Sequence, residues 1–177
     1  MFGKKRGYFF VLDAVLGLSI LIMGVFIVTS SYVSVPPPTQ VRLLSDDLMN
    51  FLSNTKIKNI NNPYGGMGGY LWNQGEITDG DNTLLQQIGE FYYLNKPNTA
   101  EKFIQNISKD VMPAQFRYEV WIDNTLLYPK TPTQEHLTSK ASTELLLTSK
   151  TITFGVINMT SDNLWGPYKA EVFIWER

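Results

Sequence analysis

Apolar residues run without a break of charge from Tyr8 to Val28, except at one acid, Asp13. The small residues Gly17, Ser19 and Gly24 interrupt the larger side chains but not the apolar character. At 1.5 Å per residue, residues 8–28 predict a helix of roughly 32 Å, the thickness of a bilayer's hydrocarbon core. Three consecutive prolines, 36–38, then end or kink it near Val35 and act as a hinge. Beyond them the pattern turns amphipathic: over 39–60, Val41, Leu44, Leu48 and Phe51 recur at helical spacing while Arg42, Asp46, Asp47 and Asn50 face away, with Thr39 as the cap. Asp46 and Asp47 diverge by about 100° on a helix, so they read as a solvated face and not as an acid–base pair.

Residues 61–75 carry too many glycines for a helix and predict an exposed loop whose aromatic residues, Tyr64, Tyr70 and Trp72, either cover the core or form an interface with a neighbouring subunit. No Gly-Lys-Ser/Thr follows, which argues against a phosphate loop. Two short helices come next. Asp81 is the expected N-cap before Leu84, Leu85, Ile88, Phe91 and Tyr92, and Asn98 to Glu101 reads as a capping box before Phe103, Ile104, Ile107 and Val111, with Pro113 as the stop.

After Pro113 the period falls to two. Phe116, Tyr118, Val120 and Ile122 point one way and Arg117, Glu119 and Trp121 the other, with Asp123-Asn124 as a hairpin turn toward Leu126, Leu127 and Tyr128. Residues 129–142 read as an exposed polar loop, in which the sole histidine, His136, is a solvated residue. Residues 144–158 predict a long strand or bent pair with Gly155 as a bulge. Residues 165–168 turn the chain into a last strand, 168–175, with Ala170, Val172 and Ile174 on one face. Trp121, Phe173 and Trp175 then lie on the outer face, either as a binding surface or packed under helices. The head is therefore α+β, helices packed on an antiparallel sheet of about four or five strands.

Charge and composition sharpen the organisation. Lys4, Lys5 and Arg6 stand directly before the apolar run, so the positive-inside bias places the N-terminus in the cytoplasm and the chain beyond Pro36 outside. Of 15 basic residues three lie in this leader, whereas 15 of the 16 acidic residues lie after Thr39, which argues against a nucleic-acid surface. There is no cysteine, which removes disulfides, thiolate metal sites and cysteine nucleophiles. The apolar run is too long for a secretory leader and lacks a small-residue cleavage site, which disfavours release near Ser31. An ionised Asp13 inside an apolar helix costs at least ~2.5 kcal/mol, so it needs a partner, an amine or basic residue of a neighbouring chain, unless it snorkels or stays protonated.

Lys4-Lys5-Arg6-Gly7 followed by Tyr8-Phe-Phe-Val-Leu-Asp-Ala-Val-Leu-Gly17 resembles the class III signal segment of archaeal type IV pilin-like proteins, over residues 3–30. The resemblance implies cleavage by a prepilin peptidase between Gly7 and Tyr8, and handling by a pilus assembly machinery. It also implies a helix that passes from the membrane into the core of a cell-surface filament of identical subunits. The family's acid near the mature N-terminus neutralises a neighbour's amine; here the acid is Asp and stands sixth after such a cut. The expected organisation is a basic leader (1–7), a transmembrane and filament-core helix (8–35), a proline hinge (36–38) and an extracellular α+β head (39–177). Its expected assembly residues are Asp13, Gly17 and Gly24.

Asn106-Ile-Ser108 and Asn158-Met-Thr160 are glycosylation sequons on the expected outer side. No catalytic constellation, metal set or cofactor motif emerges, so the expected protein is not an enzyme and binds no cofactor, metal or nucleic acid. The first expectation is a structural subunit of a pilin-like surface filament; the rival is a non-polymerising minor pilin or anchored surface receptor that contacts a host or ligand.

Overall fold

The computed structural model describes residues 5–31, 38–60, 66–77, 79–157 and 163–177, with side chains for 11–27, 43–60, 70–77, 79–157 and 163–177. The chain divides into two compact units, Met1–Pro37 and Pro38–Arg177. The prolines 36 and 37, Tyr64 and the Asn158 sequon lie outside the described residues.

Among its described residues the first unit is one helix, α1 (Lys5–Ser31). Every side chain from Val11 to Ile27 is exposed, and large apolar groups such as Leu12, Leu18, Ile20 and Leu21 project around most of its circumference. The membrane-spanning reading of 8–35 is corrected: among the described residues no helix is long and apolar enough to cross a membrane.

The second unit is α+β in three layers. Its elements are α2 (Pro38–Asn54), a 3-10 turn (Ile57–Asn59), α3 (Gly66–Asn73), α4 (Leu84–Tyr93), α5 (Pro97–Ser108), β1 (Phe116–Ile122), β2 (Thr125–Tyr128), α6 (Gln134–Ser142), β3 (Leu147–Val156) and β4 (Leu164–Glu176). The sheet is four-stranded and antiparallel throughout, in the order β2-β1-β4-β3. Two hairpins are thus joined through their β1 and β4 strands. Alternation puts Val120, Ile122, Ala170, Val172 and Ile174 on the inner face, where they share a core with Leu48, Leu52, Leu84, Ile88, Phe91, Phe103 and Ile104 from the helices. Asp123 and Asn124 both adopt positive φ and make the β1–β2 turn, as two-residue hairpins favour. The β3–β4 register shifts between Thr153 and Gly155, the expected bulge. The C-terminus is held in the sheet: Glu176 pairs with Phe116, and the Arg177 amide donates to the Gln115 carbonyl (2.9 Å).

Several local expectations are corrected. Residues 66–73 form a helix despite three glycines, because Leu71 is buried in the core and the amides of Gln74, Gly75 and Glu76 close its last turn. Gly75, at φ +71°, supplies the left-handed stop. The cap of α4 is Thr83: its hydroxyl accepts from the Gln86 amide (3.2 Å) while Gln86 Oε1 accepts from the Thr83 amide (2.9 Å). Asp81 instead holds Lys56 and Lys58 (3.0 and 2.6 Å), a pairing that keeps its carboxyl below the usual range. Helix α5 begins at Pro97 with no side-chain cap, since Asn98 and Glu101 both bind Lys130. Strand β4 begins at Leu164, so Trp165 belongs to the sheet and is buried. Residues 134–142, expected as open loop, are helix α6, which packs on the outer face of the sheet at Glu119 and Trp175.

Candidate functional site

On α1, Asp13, Gly17 and Gly24 fall within about 40° of one another at 100° per residue, so they share one stripe. A Cβ at Gly17 or Gly24 would meet nothing within 4 Å, which leaves the backbone open to close approach by another helix. Asp13 is exposed and, among the described residues, has no ion-pair partner. Ser19 lies off this stripe and donates to the Val15 carbonyl within its own helix (2.8 Å). Gly7 and Tyr8 belong to the first turns of α1, with side chains outside the described set.

The remaining candidates scatter. Tyr70 and Trp72 are exposed on α3, with the Trp72 ring lying over Gly80. Asn106 is exposed on α5, but the Ser108 hydroxyl of its sequon is buried, donating to the Ile104 carbonyl (2.5 Å) and touching the Tyr118 hydroxyl.

The densest polar cluster of the head was not expected from the sequence. Glu119 is buried on the outer face of β1, with Lys140 Nζ at 2.5 Å and Trp121 Nε1 donating at 2.9 Å to its Oε2, and His136 Nε2 at 3.2 Å from its Oε1. His136, also buried, sets its ring edge against Trp175 at 4.8 Å. The Lys140 ammonium lies 5.7, 5.3 and 5.5 Å from the rings of Trp121, Phe173 and Trp175, within cation–π reach of all three. Trp175 Nε1 donates to Ser139 Oγ (3.1 Å). The outer-face aromatics are therefore packed beneath α6.

The buried face of α6 is His136, Ser139 and Lys140, at i, i+3 and i+4, all polar, so no apolar stripe announces the helix. The available signals are weaker. Thr133 caps the helix by accepting from the His136 amide (3.2 Å), Glu135 lies in the first turn and Lys140 in the last. Glu135 also bridges Arg177 and Arg117 (2.5 and 2.7 Å), and both guanidiniums, Arg177 above all, hold its carboxyl below the usual range.

Chemically the cluster satisfies one buried carboxylate with donors from a histidine, a lysine and a tryptophan, an arrangement that fixes a helix on a sheet. Among the described residues no group of three or more His, Cys, Asp or Glu side chains converges to hold a metal ion. Elsewhere, Glu90 is buried on α4 and desolvation raises its carboxyl above the ordinary value of 4.5, with Asp79 adding to the rise. Glu171 is lowered by hydrogen bonds from Lys150 and Lys169.

No family model, curated protein or solved structure matches the chain.

Proposed function

We propose that this chain is a structural subunit of a pilin-like cell-surface filament that assembles by packing α1 against copies of itself, with Asp13 selecting the register. The observation that carries the reading is the surface of α1: apolar side chains exposed on all sides of 11–27, crossed by a stripe bearing one acid and two glycines. A helix apolar all round is stable only when surrounded, and burying one Leu, Ile or Phe side chain contributes about 1.5–3 kcal/mol. Identical helices in a bundle supply that burial at every position. Gly17 and Gly24 let backbones approach, and only a stagger that brings an amine or basic side chain to Asp13 avoids an unpaired buried carboxylate. The basic-Gly7-Tyr8 segment supports the same reading, since cleavage after Gly7 would free an amine near Asp13.

The test is to shear cell surfaces and compare wild type with Asp13→Ala. The expected result is a filament fraction in which this chain is the main component and begins at Tyr8, sharply reduced in the variant although the chain is still made. Unaltered filaments in the variant would remove the register role. A chain that never enters the sheared fraction, and stays dispersed on the cell, would overturn the subunit reading in favour of a non-polymerising surface receptor.

A further inference from the structure

At the end of the sheet where β1 begins and β2 ends, the C-terminal half of α5 and the start of α6 enclose an open groove of about 610 Å³. Its size is that of a small-ligand site. Among the described residues it has no acidic lining side chain, but it has three cationic ones: Lys102, Lys109 and Arg117.

The lysines are distinctive in the head. Lys56 and Lys58 pair with Asp81, Lys96 with Glu76, Lys140 with Glu119, and Lys150 and Lys169 with Glu171, while Lys130 binds Asn98. Among the described lysine side chains only Lys102 and Lys109 have neither an ion pair nor a hydrogen bond, and both line this groove. Lys102 lies on α5 and Lys109 is its C-cap residue, still in right-handed helical backbone, so at seven residues' spacing they stand on one side of the helix and about 10 Å apart along its axis. Arg117 lines the same groove as a third cation, with its Nη2 paired to Glu135 (2.7 Å).

The floor is aromatic. Tyr118 and Tyr128 stack with ring centroids 4.8 Å apart and line the groove together with Phe116. Half-buried aromatic rings beside exposed, unpaired lysines suit a ligand with an apolar ring face and carboxylates on its rim. The lysine spacing is about the length of two pyranose rings, so the matching ligand carries one acid per disaccharide.

We infer that this groove binds an acidic saccharide, a uronate-containing chain whose rings lie on Phe116, Tyr118 and Tyr128 and whose carboxylates meet Lys102, Lys109 and Arg117. The inference goes beyond the filament reading and does not rest on it, because every residue involved belongs to the head. Asn106 lines the same groove, so a glycan on it and a free saccharide exclude one another.

The experiment uses the full chain, unglycosylated and kept in non-ionic detergent, titrated at low ionic strength with a glucuronate–N-acetylglucosamine tetrasaccharide. Chitotetraose and inorganic phosphate are titrated alongside. The expected result is saturable binding of the acidic tetrasaccharide that weakens with added salt and falls roughly tenfold in Lys102→Ala/Lys109→Ala. Both lysine side chains are exposed, so the variant keeps its melting temperature, and Lys102→Arg/Lys109→Arg keeps its binding. The double variant Lys56→Ala/Lys58→Ala removes the same charge elsewhere and leaves binding unchanged. No saturable binding, an equal affinity for chitotetraose, or an equal loss in the Lys56/Lys58 variant would each overturn the inference. Phosphate binding as tightly as the tetrasaccharide would assign the groove to a free oxoanion and overturn it as well.

Discussion

Trp165 is seated in a slot that two glycines leave open. A Cβ at Gly89, in α4, would overlap its ring at Cη2 and Cζ3, and one at Gly155, in β3, would come within 2.7 Å of its Cζ2. The ring stacks on Tyr168 (5.8 Å), which in turn meets the edge of Tyr92 (5.1 Å), so this slot ties α4 to the β3–β4 hairpin. Gly89 lies inside a helix, where alanine is ordinarily better by about 1 kcal/mol. Overpacking a closed contact costs about 1–3 kcal/mol, and the overlap is with a rigid ring buried on both sides. Gly89→Ala should therefore destabilise the head, by up to about 2 kcal/mol in urea denaturation. A gain in stability would mean that the tryptophan does not fill the slot.

At the scale of elements, α6 is the least ordinary part of the head, because it is fastened to the sheet by charge and rings more than by aliphatic packing. Three donors, from His136, Lys140 and Trp121, meet one buried carboxylate on Glu119. Removing that acceptor strands all three, and breaking a buried pair of this kind costs about 3–5 kcal/mol. Glu119→Ala should lower stability by about 3 kcal/mol, and in hydrogen exchange the amides of α6 should lose protection well before those of α4 and α5. Equal loss of protection in all three helices would show that α6 unfolds only with the head as a whole. The sequence makes the two β-hairpins legible because each inner position alternates with an outer one and the turn residues lie between them. It leaves α6 hidden, since the residues that bury it, His136, Ser139 and Lys140, are the types that a pattern reading assigns to solvent.

At the scale of the whole molecule, the two units depend on different kinds of burial. The head carries its own continuous core, from Leu48 on α2 to Ile174 on β4. Helix α1 exposes apolar groups along the whole described stretch, and the proposed assembly would bury them. A fragment comprising residues 38–177 should consequently unfold cooperatively and remain monomeric in sedimentation at concentrations where the full chain self-associates. A fragment that fails to fold would mean that the first unit is needed to complete the core. One that still associates would relocate the assembly surface to the head.

The sequence by itself determined the features that short-range chemistry controls. The alternation of Val120 and Ile122 with Glu119 and Trp121, the Asp123-Asn124 turn and the Gly155 bulge follow from local period and backbone preference, and so does the apolar character of 11–27 with its single acid. The tertiary structure decided where local preference was weak or opposed. It made a helix of the glycine-rich 66–73 by burying Leu71, chose Thr83 over Asp81 as a cap, and drew Trp165 into the slot between two glycines. It also brought His136 and Lys140 to Glu119, and Lys102 and Lys109 to Arg117. Those meetings depend on residues distant along the chain, whose energies exist only once the sheet and its helices have closed on one another.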